Sequence, residues 1–278
     1  MPVIPFQTLT CPLDGDPLQQ LDTRWQCAAG HSYDQARQGH VNLLPVQHKR
    51  SRDPGDSKEM VAARQAFLAR GHYQPIADAV NQRVLATLPP EAALMDAGSG
   101  EGYYLRQLAD AVPETHQLAL LGLDISKWAV LAAARQDRRC RWVVGSNANV
   151  PVLPQSLDYV LCLFGFPVYP EFARILKPGG RLLQVDAGEG HLRELREVIY
   201  PSLKPAATAE PTAPAGFVPW LDDALQFSLA LTDASAIADL LAMTPHLYRA
   251  SAEGRAKAAA LTQLTVTVEV RIRGWQRA

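Results

Sequence analysis

From about residue 90 onward, short apolar runs alternate with stretches whose apolar positions recur at helical spacing. The runs are "AALMDAG" (92–98), "LALLGLDIS" (118–126), "RWVVGS" (141–146), "LDYVLCLFGF" (157–166) and "RLLQVDAG" (181–188). Between them, "EGYYLRQLADAV" and "KWAVLAAARQ" carry the helical period. Near-continuous apolar strands separated by helices predict a parallel sheet covered on both faces. "PEFARILKPGG" reads as a helix stopped by Pro178 and the Gly179–Gly180 pair before the next strand. Toward the end, "LQFSLAL" predicts a strand and "DASAIADLLAM" a helix. The strictly alternating "LTVTVEVRI" suits an antiparallel strand closing the sheet.

The first 85 residues have a different rhythm. Residues 1–45 hold turn formers together with Cys11, Cys27, His31 and His40, and show no long amphipathic pattern. Residues 46–85 open on the basic, polar "QHKRSRDPGDSKEM" and continue as one stretch, "VAARQAFLARGHYQPIADAVNQRVLATL", at helical spacing. The chain thus divides into a small N-terminal module (1–45), a basic linker with a helical segment (46–85) and an α/β domain (86–278). Residues 200–219, rich in proline and alanine, predict an exposed loop.

Bulk properties narrow the classes. A chain of 278 residues can bury one large core beside a small module. No apolar run approaches the ~18 residues of a membrane span. "MPVIPFQTLT" has no basic segment ahead of an apolar one, so a cytoplasmic location without a membrane partner is expected. Four cysteines do not make a disulfide framework, and Cys140 and Cys162 sit in apolar surroundings as reduced core residues. The formal net charge of −1 argues against a general polyanion binder. Nucleic-acid contact would need a local patch, and His48, Lys49, Arg50 and Arg52 form one. A solvated linker explains the same charges.

The most specific chemical signal is "MDAGSGEGYYL", which places Asp96, Gly98, Gly100, Glu101 and Gly102 directly after the first strand of the domain. Glycines there let the backbone turn and approach a ligand at a helix N-terminus. A dinucleotide fingerprint would need glycine at 103, where Tyr103 stands. D-x-G-x-G-x-G resembles motif I of class I S-adenosylmethionine (SAM) methyltransferases instead. Asp124, ending the second run, is placed to accept ribose hydroxyls. Ser146 and Asn147 follow the third strand, where adenine would rest. Phe164 and Phe166 end the fourth, where a flat base could stack. Ordinary loop and core roles account for each of these four residues equally well.

Four stretches, "GHVNLLPVQHKRSRDPGDSKEM", "ARQAFLARGHYQP", "GSGEGYY" and "EGHLREL", resemble the RlmA family, the 23S rRNA guanine-N1 methyltransferases. The resemblance runs from Cys11 to the last strand. It implies a zinc-ribbon-like RNA-recognition module on a Rossmann-like SAM domain with a mostly parallel sheet. It also implies a homodimer acting on a 23S rRNA hairpin, and SAM contacts from Tyr73, the glycine loop around Gly100 and Glu101, and His191. Lys49, Arg50, Arg52, Phe164 and Phe166 become candidate RNA contacts. The residue that would take the guanine N1 proton stays open, as do two other functions: methylation of a small molecule, and RNA binding without transfer.

The chain departs from the family at "LFGFP" and at "CPLD", where Asp14 stands in place of a zinc cysteine. Cys11, Asp14, Cys27 and His31 fall at the family's Cys-x2-Cys and Cys-x3-His positions. Aspartate ligates zinc through oxygen, so zinc on these four residues is the expectation, weakened by the exchange of a soft thiolate for a harder ligand. Packing from Leu13, Leu18, Leu21, Trp25 and Tyr33 is expected to support the module.

Overall fold

A computed structural model describes residues 2–48, 51–203 and 212–278. Lys49 and Arg50, and residues 204–211 of the proline-rich loop, lie outside the described residues. In chain order, β1 (Val3–Pro5) leads into three short strands, β2 (Gln19–Leu21), β3 (Arg24–Gln26) and β4 (Ser32–Asp34), and then β5 (Val41–Asn42). Two helices follow, α1 (Lys58–Ala69) and α2 (Gln74–Leu85). The alternating region is β6 (Glu91–Ala97), α3 (Tyr103–Ala111), β7 (Gln117–Asp124), α4 (Lys127–Gln136), β8 (Arg141–Val144), β9 (Leu157–Leu163), α5 (Tyr169–Ile175) and β10 (Leu176–Ala187). The chain ends through α6 (Arg193–Ile199), β11 (Phe217–Leu231), α7 (Ala234–Ala242), α8 (His246–Arg249), α9 (Ala252–Ala259) and β12 (Leu264–Arg277).

The described strands form a sheet in the order β11-β12-β10-β9-β6-β7-β8-β5, with β1 added on β7. Pairing is parallel from β10 to β5, while β12 runs antiparallel between β10 and β11. β1 and β8 share one side of β7: Val3–Pro5 pair with Leu118–Leu120, and Arg141 onward pairs with Leu121 onward. Strands from both ends of the N-terminal module therefore lie in the large sheet, and β2-β3-β4 form a separate three-stranded sheet between them.

Two apolar clusters cover the two faces, as continuous apolar strands require. One takes Leu94, Leu118 and Leu120 with helix residues such as Ile76, Leu105 and Val130. The other takes Met95, Leu121 and Leu123 with Phe172 and Ile175 of α5 and with Leu18, Trp25, Cys11 and Cys27 of the ribbon. Trp25 and Leu18 pack as expected, whereas Leu13 and Leu21 are exposed.

Three elements differ from the sequence pattern. The single helical stretch is two helices, because Gly71 turns at φ +77° and Pro75 sits in the first turn of α2. That break leaves Tyr73 at the α2 N-terminus. "KPGG" belongs to β10, where Leu176 already pairs with Leu157 and an irregularity precedes Arg181. The strand seen in "LQFSLAL" extends back to Phe217 and pairs with β12 along its length, with one register shift between Pro219 and Leu221. Among the described residues no helix is long and apolar enough to cross a membrane.

Candidate active site and metal centre

β6 delivers the glycine loop to the C-terminal edge of the sheet. The N–H groups of Gly98 and Ser99 both donate to the Leu123 carbonyl, at 2.8 and 2.9 Å, so the loop folds over the end of β7. The Gly100 N–H donates to Asp124 Oδ2 at 2.9 Å and the Ser126 N–H to Oδ1 at 2.8 Å. Each carboxylate oxygen keeps a second lone pair for a ligand hydroxyl. Gly102, at φ +82°, starts α3, and a Cβ there would come 2.5 Å from the Trp142 ring.

Over the loop lies a cavity of about 680 Å³, within the usual range for a small-molecule site. Its floor is unusual. Asp96 is buried, its Oδ1 has no hydrogen-bond partner among the described residues, and burial followed by the nearby Asp124 charge pushes its pKa up to about 7. Ser99 Oγ and Glu101 Oε1 are also buried without partners among the described residues. The other Glu101 oxygen accepts from Arg106 at 3.0 Å and Gln136 at 2.7 Å. Buried polar atoms left unpaired are costly, so a floor of this kind fits a ligand that brings donors and positive charge. The hydroxyls, ammonium and sulfonium of SAM supply both.

The opposite wall is aromatic. The Phe164 ring stands 6.3 Å from Tyr73, 5.9 Å from His191 and 6.5 Å from Tyr104. Phe164 adopts φ +54°, a conformation that costs a bulky residue about 1–3 kcal/mol and marks functional sites. His191 Nδ1 accepts from the Glu269 N–H at 3.3 Å, and burial pushes its pKa down to about 4. The ring is therefore neutral at pH 7, with its proton on Nε2, 3.4 Å from the Tyr73 hydroxyl. That leaves the Tyr73 O–H free to donate into the cavity. Phe166 is 89% exposed at the rim. Asp186, at the end of β10, lines the same wall: its Oδ2 accepts from Gln184 Nε2 at 2.8 Å and Arg273 Nη1 at 3.3 Å. Among the described residues its Oδ1 has no hydrogen-bond partner. Burial raises the Asp186 pKa, against the opposing effects of Arg273 and Gln184.

In the ribbon, one atom each of Cys11, Asp14, Cys27 and His31 lies within 4.8 Å of all the others. Both Cys11 Sγ and Cys27 Sγ are 3.5 Å from His31 Nδ1, and Cys27 Sγ is 3.3 Å from Asp14 Oδ2. Ligands held tetrahedrally at zinc distances stand ~3.3–3.8 Å apart, so these spacings fit the ion. The 2.8 Å between His31 Nδ1 and Asp14 Oδ2 is a hydrogen-bond distance. The Tyr33 hydroxyl, 3.1 Å from Cys11 Sγ, supplies an outer partner of the kind that orients metal ligands.

Residues 9–52 match the family described as RlmA, N-terminal, a zinc ribbon, and residues 94–180 match a methyltransferase domain. A Micromonospora griseorubida protein, provisionally named 23S rRNA (guanine-N(1)-)-methyltransferase, is 37% identical over 206 residues, covering 67% of this chain and 68% of its own. The 23S rRNA (guanine(748)-N(1))-methyltransferase of Streptomyces fradiae is 35% identical over 194 residues, covering 69% and 67%. The chain belongs to the RlmA methyltransferase family. Among solved structures, a provisionally named type II methyltransferase from Anaeromyxobacter dehalogenans shares the fold, with a TM-score of 0.51 at 19% identity over 70% of this chain and 94% of that one. An RlmA-family ribbon and a class I SAM-dependent domain thus account for the two halves of the site.

Against that family frame, the cavity brings together Tyr73, Asp96, Gly98, Gly100, Glu101, Asp124, Ser146, Asn147, Phe164, Phe166 and His191. Gly102 does not line it and acts as the pivot of α3. Asn147 donates to the Phe166 carbonyl at 3.3 Å, and Ser146 Oγ accepts from the Ala148 N–H at 3.2 Å, so both also shape their own loops. Arg52 is exposed, outside the cavity. Sequence reasoning missed Gly55, Asp56 and Arg64, which form a strap over the cavity. Ser126 Oγ donates to the Asp56 carbonyl at 2.7 Å, and Arg64 pairs with Asp56 and donates to the Met243 carbonyl. It also missed Asp186, although "VDAG" repeats the "MDAG" that marked Asp96.

Proposed function

We propose that this protein transfers a methyl group from SAM to N1 of a guanine in a hairpin loop of 23S rRNA. Family membership over two thirds of the chain carries the reading, and the cavity supports it. N1 lies on the Watson–Crick edge, so the base must be unpaired and turned out into a pocket. Phe164 offers the face on which it stacks, and Phe166 extends that face to the rim. Bound SAM supplies an electrophilic methyl carbon, and the chain's task is alignment and proton removal. Asp96, Glu101 and Asp124 hold the cofactor's polar groups, while the neutral His191 fixes the Tyr73 hydroxyl beside the reacting atoms.

Asp186 is the proposed acceptor of the N1 proton. Guanine presents N1–H and the 2-amino group side by side, and a carboxylate accepts from both. Gln184 and Arg273 fix Oδ2, which leaves Oδ1 for N1–H. As the N1–carbon bond forms and the sulfur–carbon bond breaks, the N1 proton passes to Oδ1, whose basicity burial has raised. The tract of Lys49, Arg50 and Arg52 gives the phosphate contacts. A homodimer is proposed on the same family grounds, and sedimentation measures it.

The test is transfer of labelled methyl from SAM to 23S rRNA lacking the modification, followed by mapping of the modified base. Label on a guanine N1 is the expected result. Label only on a small molecule, or no SAM binding by calorimetry, overturns the reading.

A further inference from the structure

Where β1 stops and β8 starts along β7, a second recess opens at the other end of β8 from the cofactor cavity. The four residues of β8 set the two ends ~13 Å apart. The recess measures about 250 Å³, many times the ~30 Å³ of one water and below the usual size of a cofactor site. Arg37, Arg138 and Arg141 line it, with Gln20, Gln35 and Gln38.

Arg141 is the unusual member. It is only 5% exposed, yet among the described residues it has no carboxylate partner. Its Nε–H donates to the Phe6 carbonyl and its Nη2 to Gln20 Oε1, both at 3.2 Å, and its guanidinium lies 4.8 Å from the Trp25 ring centroid. Nη1 has no acceptor among the described residues. Gln20 is itself held, donating to Gln35 Oε1 at 3.0 Å. Arg37 and Arg138 are exposed at the rim, also without an acidic partner among the described residues. A buried guanidinium without a counter-ion is costly to fold, and burial alone lowers the Arg141 pKa, to about 10, which leaves it charged at neutral pH. Two more arginines beside it, with no acid among the described residues that line the recess, make a concave, positive site.

We propose that this recess binds a phosphate group, seated on Arg141 and closed over by Arg37 and Arg138. The arginine fork matches phosphate oxygens, and the glutamine amides can add donors. In a protein of net charge −1, the recess concentrates positive charge on the ribbon's flank, away from the methyl-transfer cavity. The phosphate belongs either to the RNA backbone or to a free phosphate compound.

The experiment uses the full chain and two arms, and rests on the rRNA reading only for the choice of RNA. Arg37→Gln/Arg138→Gln leaves Arg141 and its packing intact, while Arg141→Lys keeps the charge but loses the fork. In the first arm, binding of a 23S rRNA fragment is measured over a salt series without methyl transfer. Losing one phosphate contact flattens the log–log slope by ~0.7–0.9. In the second arm, inorganic phosphate and pyrophosphate are titrated against thermal unfolding at constant ionic strength. A flattened slope in the double-glutamine variant, with weaker RNA binding at an unchanged slope in Arg141→Lys, assigns the phosphate to RNA. A rise in Tm in the wild type that both variants lose, with the RNA slope unchanged, assigns it to a free compound. Wild-type slopes together with no phosphate-dependent Tm overturn the proposal. SAM affinity, read in parallel, stays unchanged, so failure of the methyltransferase reading registers separately.

Discussion

Asp124 serves two masters, since its oxygens already hold the Gly100 and Ser126 N–H groups that shape the site. Asp124→Ala removes a charged acceptor for ribose hydroxyls as well as those two bonds. SAM affinity, measured by calorimetry, should fall by ~1–3 kcal/mol. Asp124→Asn keeps one acceptor and should lose less. An unchanged affinity in the alanine variant would remove the ribose from this residue. Asp186 has a different signature. Asp186→Asn keeps the shape and one acceptor oxygen but cannot take a proton, so kcat should drop by ~10²–10⁴ while SAM affinity stays within twofold. The sign of the pH effect follows from the base being ionised: at saturating SAM, wild-type turnover falls as pH drops through the raised Asp186 pKa. The asparagine variant lacks that acid limb. A variant with wild-type turnover would eliminate Asp186 as the base. Asp96 and Asp124 were legible because they flank a recognisable glycine loop. Asp186 ends an equivalent strand, but its importance depends on Phe164 and His191 standing beside it, and no local pattern carries that.

At the scale of elements, the start of α3 depends on close packing. Gly102→Ala would place a Cβ 2.5 Å from Trp142 and 3.0 Å from Ala133 at a positive φ, in a buried position. Urea unfolding should show a loss of about 1–3 kcal/mol. Gly98→Ala, also at positive φ but with nothing within 4 Å, isolates the backbone contribution and should cost less. Equal losses would show that the Trp142 contact does not matter. The central strands were readable because they are long and apolar on both faces. β1 and β5, with three and two residues, are too short for any period, and only their partners make them strands. The break between α1 and α2 was visible in Gly71 and Pro75 yet masked by a helical period continuing on both sides. The strap at Gly55 and Asp56 lies in a stretch that composition marks only as a turn.

For the whole molecule, the ribbon covers one face of the sheet beside α5, so a metal held by Cys11, Asp14, Cys27 and His31 would support more than the ribbon's own fold. The protein purified without chelator should carry about one zinc per chain. Asp14→Cys, which restores a thiolate, should retain zinc against a competing chelator at least tenfold better. Absence of zinc from both proteins, with the ribbon still protease-resistant, would make the cluster a hydrogen-bonded remnant. The anchoring of β1 and β5 has a kinetic side as well. Their partners, Leu118–Leu120 of β7 and Val143–Val144 of β8, lie about a hundred residues further along the chain. During synthesis the ribbon emerges before the strands it joins: β1 has no partner until β7, and β5 none until β8, has left the ribosome. Contacts of such long range slow folding, since the loop between them must close first. Zinc captured by the emerging ribbon would shorten that search by presenting β1 and β5 at the two ends of one ordered unit. Metal supply during translation, more than metal content afterwards, would then set how much of the protein reaches its native state.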